Sequence, residues 1–162
     1  MAEVTLTELE HRLSPDDARR ARVAALARVG QNMVTGRAPA YGAKRSIGLD
    51  IDGTRAELAF ARMLGVPLDQ WAAYTSGALD AIGSDVAGWQ VRSTRHRHGH
   101  LIIHPRDDRA ARFALIVTNG VVYRAAGWIV AGDAHRPEWW QQLNAAQAAA
   151  WCVPQAALRP FG

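Results

Sequence analysis

The stretch Asp85-Val86-Ala87-Gly88-Trp89-Gln90-Val91-Arg92-Ser93-Thr94 is where the character of the chain changes. From here on, apolar and β-branched residues come in short runs separated by Gly or Asp clusters. Four strands are expected, at residues 88–94, 100–105, 112–118 and 121–130, joined by short turns into a meander of hairpins. Within the first strand, side chains two apart share a face. Gln90 and Arg92 therefore lie on one face, and Trp89 and Val91 on the other. Asp85 stands at the strand entrance, with Gly88 allowing a bend.

Upstream of this stretch the periodicity is helical. Ser14-Pro15-Asp16-Asp17 is a helix start, with a serine N-cap, proline at the first helical position and acids behind it. A helix is expected from there to about Val29 or Met33. Residues 36–48, with Pro39, Arg37, Lys44 and Arg45, read as a basic loop. A second helix is expected from Thr54 to Leu64, closed by Gly65 and Pro67. Leu68-Asp69-Gln70-Trp71 offers a short helix start. Downstream of the strands, a short helix is expected from His135 to Leu143, beginning near Pro137. The tail from Trp151 to Phe161 reads as irregular chain. Helices, then antiparallel strands, then a helix make an α+β fold. A single domain over residues 1–162 is expected, with helices at about 14–66, a sheet core at about 84–131 and a C-terminal part at about 133–162.

The 162 residues include 19 Lys and Arg against 15 Asp and Glu, for a formal charge of +4. Lys44 is the only lysine, so arginine supplies nearly all the positive charge. Guanidinium groups suit bidentate phosphate contacts, and a basic arginine-rich domain favours a polyanionic partner. Cys152 is the one cysteine, which excludes an intramolecular disulfide and a cysteine zinc site. It is expected to be buried and inert. No apolar run reaches the length of a membrane span, and the acidic N-terminus does not resemble a signal peptide. A soluble, cytoplasmic protein is expected.

Glu57 shares the apolar stripe of the second helix with Phe60, Ala61 and Leu64. A carboxylate there needs a partner, because an unpaired buried charge is costly. A metal ion is one candidate. A capping box, Thr54-x-x-Glu57, is the other.

A helix glutamate followed by Asp85 and Gln90-x-Arg92 resembles the PD-(D/E)XK nuclease superfamily. The segments G-W-Q-V-R-S-T-R, H-L-I-I-H-P-R-D-D and G-W-I-V-A-G-D-A, with the tail V-P-Q-x-x-L-R-P, are similar to small phage and bacterial members of that group, over residues 50–160. The resemblance implies a restriction-endonuclease-like core and a metal-dependent endo- or exonuclease acting on nucleic acid, DNA in the first instance. It places catalytic roles on Glu57, Asp85, Gln90 and Arg92. Mg²⁺ or Mn²⁺ would be held by Glu57, Asp85 and the Gln90 carbonyl. Arg37, Lys44, Arg45, Arg95 and Arg97 would contact the nucleic acid, and a homodimer is compatible with such an enzyme. Two departures matter. Gln90 brings no charge where the superfamily has an acid. Arg92 stands for lysine and cannot act as a general base. These departures open a rival expectation, a catalytically inactive protein of the same fold that binds nucleic acid or a protein partner.

Other features admit plainer explanations. His96, His98 and His100 flank a glycine turn, so a basic or solvated turn competes with a zinc site. Pro105 to Arg109 reads as a turn between strands. Trp128, Trp139, Trp140 and Trp151 fit either a core or a base-stacking surface.

Overall fold

A computed structural model gives the structure and describes residues 6, 8–35, 47–75, 85–142, 145 and 147–162. The basic loop with Arg37, Lys44 and Arg45 lies outside the described residues. Among the described residues three helices, α1 (Pro15–Thr35), α2 (Ile47–Met63) and α3 (Leu68–Thr75), precede the main strands. The strands are β1 (Glu10–Arg12), β2 (Trp89–Thr94), β3 (Leu101–Ile103), β4 (Arg112–Thr118), β5 (Val122–Val130), β6 (Trp140–Gln141) and β7 (Ala150–Val153). The fold is α+β, with a mixed four-stranded sheet and a small antiparallel sheet.

Ser14 caps α1 as its sequence demands: its Oγ accepts the backbone N–H of Asp17 at 3.0 Å. The Asp17 carboxylate then turns to α2, where it receives two hydrogen bonds from Arg62 at 2.8 and 3.1 Å. Farther along, Arg28 of α1 donates to both oxygens of Glu57 at 3.0 and 2.7 Å. The order of these pairs makes α1 and α2 antiparallel. Ala21, Ala56 and Ala59 are buried in the same core and let the helices approach closely.

The main sheet runs β1-β5-β4-β2. The expected meander is corrected here, because β2 pairs with β4 in parallel, with Gln90 opposite Phe113 and Arg92 opposite Leu115. The intervening strand β3 leaves this sheet and pairs with β7. A parallel neighbour needs a crossover longer than a hairpin turn, and β3 with its two flanking turns supplies it. The expected C-terminal helix is also corrected. Residues Ala131–Ala134 and Pro137–Trp139 form single 3-10 turns. The chain from Trp140 then pairs with β7, so ladder hydrogen bonds replace a further helical turn. Part of the tail expected to be irregular is that strand β7.

One core lies between the helices and the main sheet. There Trp89 meets Phe60 edge-on at 5.8 Å and Trp128 at 5.5 Å, with Phe161 tilted against it. A second core lies between the opposite face of the main sheet and the small sheet, built on Phe113, Leu115, Leu101, Ile103 and Val153. The layers are therefore helices, main sheet, small sheet. No helix among the described residues is long and apolar enough to cross a membrane.

Candidate nucleic-acid interface

The pleat of β2 separates the residues that the resemblance groups together. Trp89 and Val91 enter the helix-side core. Gln90 and Arg92 consequently face the small sheet. Arg92 lies over the Phe113 ring at 4.9 Å and reaches Asp107 at 3.3 Å. Asp107 also accepts the backbone N–H of His104 at 2.8 Å. Burial holds His104 below the ordinary imidazole range; Arg92 and Arg106 add to this, and Asp107 opposes it.

Glu57 lies on the other side of the sheet, buried against α1. Its carboxylate is engaged by Arg28, and this answers the question of its partner. The capping-box alternative is corrected, since α2 begins at Ile47 and Thr54 lies inside it.

Asp85 stands at the outer edge of β2. Ala87 (φ 47°) and Gly88 (φ 81°) turn the chain between Val86 and Trp89, a geometry with positive φ at both central positions that suits a two-residue hairpin. The Asp85 carboxylate closes it by accepting the N–H of Val91 at 2.8 Å. β2 is an edge strand, and this contact covers one of its outward amides. Asp85→Ala is expected to lower the unfolding free energy by about 1 kcal/mol, the usual cost of a lost cap on a backbone donor. Urea titration of the purified variant checks this. An unchanged midpoint would remove the carboxylate from the turn's support.

These placements do not fit a metal held jointly by Glu57, Asp85 and Gln90. One donor is engaged by a guanidinium, another holds a backbone amide, and the sheet stands between Glu57 and Gln90. Among the described residues, no group of three or more His, Cys, Asp or Glu side chains, His96, His98 and His100 included, is placed to hold a metal ion. Cys152 is buried, and burial pushes its thiol up.

A dense run of basic residues instead occupies β3 and the connections on either side of it. Residues 95–112 carry five arginines and four histidines against two aspartates, so much of the net positive charge is concentrated there. The turn between β2 and β3 presents Arg95, His96, Arg97, His98 and His100 to solvent. Its backbone is braced from three sides. Thr94 Oγ1 accepts the N–H of His96 at 3.1 Å. The N–H of Gly99 closes onto the His96 carbonyl at 2.9 Å. The Gln155 amide donates to the carbonyls of Arg97 and Gly99 at 2.9 and 3.0 Å. Gly99 is required, because a Cβ there would fall 2.5 Å from Thr94 Oγ1.

Arg95 folds back to Asp52 of α2 with two hydrogen bonds at 3.0 and 2.9 Å, and these hold its proton more firmly than usual. Of the two described residues expected to contact nucleic acid, Arg95 is thus partly neutralised and Arg97 projects from the braced turn. Gln155 had no signal in the sequence; it acts on a turn more than fifty residues upstream.

No protein-family model matches the chain, and no curated protein or solved structure matches it.

Proposed function

We propose that this protein binds nucleic acid through the basic face around β3, without catalysing phosphodiester cleavage at the Glu57, Asp85 and Gln90 positions. The observation that carries this reading is the braced turn at residues 95–100. It holds two arginines, one of them paired with Asp52, and three histidines in water with their backbone already ordered, so little conformational freedom is lost when an anion binds. Membership of the nuclease superfamily rests on the motif resemblance, and the binding reading does not depend on it.

Phosphate contacts of this kind release counterions, so affinity falls steeply with salt. Arg97→Ala is the sharpest probe, because the turn uses the backbone carbonyl of Arg97 and its side chain is exposed. Fluorescence anisotropy of a labelled oligonucleotide across a salt series is expected to show salt-sensitive binding. The variant should weaken it and reduce the slope of log K against log salt by about 1, with an unchanged melting temperature. The same titration is run in EDTA and in Mg²⁺. Cleavage that requires metal and is lost in Asp85→Ala would replace this reading with the nuclease. Absence of binding at low salt would remove it.

A further inference from the structure

We propose that Trp140 is a stacking platform for an unpaired base, which makes the ligand a single-stranded nucleic acid; this deepens the binding reading above and rests on it. Trp140 is 44% exposed, the most open of the described tryptophans. It does not hang free. Its backbone is paired opposite Trp151 in the small sheet, and the two indoles meet at 4.6 Å between ring centroids. Trp151 is itself held flat against the His135 imidazole at 3.7 Å, with only 11° between the planes. The sheet and the ring contacts together fix Trp140 while its indole remains open to solvent. An indole held by its neighbours with one face open can stack on a base without first being ordered.

The surroundings select the occupant. Arg136 covers the neighbouring Trp139 ring at 4.8 Å. Burial holds the His135 imidazole below its ordinary range, and the charge of Arg109 adds to this. Glu138 is the one acid between His135 and Gln141. These guanidinium groups lie beside the platform rather than over it, at its chain neighbour Trp139 and at the His135 that backs Trp151, a placement that suits the phosphates of a base stacked on Trp140.

The register ties this platform to the basic turn. Leu101, which follows that turn, lies opposite Val153, and Ile103 lies opposite Trp151. Trp140 is level with Ile103 but two strand spacings away, on β6 beyond β7, so the end of the turn at Leu101 and the platform are on the order of 12 Å apart. A short strand can place phosphates on the turn and a base on Trp140. A duplex keeps its bases stacked on one another and has no free base face to offer, whereas a single strand does.

The test uses the full chain, a labelled oligothymidine and a duplex of matched length. Oligothymidine is expected to bind more tightly than the duplex and to quench tryptophan fluorescence at saturation. Trp140→Ala should weaken single-strand binding about tenfold, within the range for loss of one stacked base. It should leave duplex binding and the salt slope unchanged, and Trp140→Phe should restore much of the loss. If Trp140→Ala and Trp140→Phe both melt like the parent and bind oligothymidine like the parent, stacking is overturned while salt-sensitive binding still stands. If the alanine variant changes only the sedimentation state, the indole is covered by a second copy and the proposal also falls. Should the parent protein bind neither nucleic acid, the binding reading fails, and this inference fails with it.

Discussion

Glu57→Ala is expected to lower the unfolding free energy by about 3 kcal/mol, the low end of the cost of breaking a buried ion pair by removing one member. Glu57 is buried, with a side chain 9% exposed, while Arg28 is 31% exposed. The part-exposed guanidinium can therefore recover some of its hydration, and this keeps the effect below the upper end. For a chain of this size the loss corresponds to a fall of roughly 6–12 °C in melting temperature. The double replacement Arg28→Met with Glu57→Leu should recover most of it, because apolar residues of similar bulk often substitute for a buried pair without loss. Urea and thermal unfolding of the three proteins decide the matter. A fully stable Glu57→Ala protein would mean that the pair holds nothing together. A melting temperature raised by Mg²⁺ in the parent, but not in Glu57→Ala, would return the metal to consideration.

Glu57 also shows how far one sequence can be read. Its place on an apolar stripe signalled that it needed a partner. That partner is 29 residues upstream on another helix, and helical periodicity carries no information about which helix packs against which. Strand positions were legible for a similar reason in reverse. Trp89, Val91, Ile116 and Ile129 mark chain that packs on a pleated surface, and the expected spans at 88–94, 112–118 and 121–130 fall within a residue of those observed at each end. Their pairing was not legible, because a strand's composition does not name its neighbour. β1, Glu10-His11-Arg12, carries no apolar signal at all; it joins β5 through its backbone. α2 starts at Ile47 rather than at the expected Thr54, because Gly48 and Gly53 resemble loop residues. In the candidate site, the basic turn was visible as a run of cationic residues around Gly99. The brace from Gln155 depends on β3 meeting β7, and the stack behind Trp140 on β6 meeting β7, both tertiary facts. The Asp85-to-Arg92 spacing resembled a catalytic motif, yet the carboxylate of Asp85 serves a turn that its own neighbours, Ala87 and Gly88, create.

Gly127→Ala is expected to be the most damaging single substitution that adds only one methyl group. Gly127 has φ +143°, a conformation L side chains rarely adopt, and it sits at the bulge where the β4–β5 register slips beside Ala126. An added Cβ would fall 2.7 Å from the Leu158 Cβ and 2.8 Å from the Arg159 carbonyl oxygen. The second contact is with backbone, so a side-chain rotation cannot relieve it. Trp128 and Arg159 exchange two backbone hydrogen bonds here, at 2.9 and 2.8 Å. Pushing the tail outward breaks them and draws Phe161 away from Phe60 and Trp89. Backbone strain and overpacking together should lower the unfolding free energy by about 3–5 kcal/mol. Gly53→Ala is the control, since nothing lies within 4 Å of a Cβ there; placed inside α2, it should stabilise by about 0.5–1 kcal/mol. Equal stability of Gly127→Ala and the parent would show that the tail does not press on β5. The same tail carries Gln155, which braces the basic turn. Under conditions where Gly127→Ala is still folded, its affinity for oligothymidine should therefore fall while Gly53→Ala binds like the parent, which couples the packing of the C-terminal tail to the proposed interface.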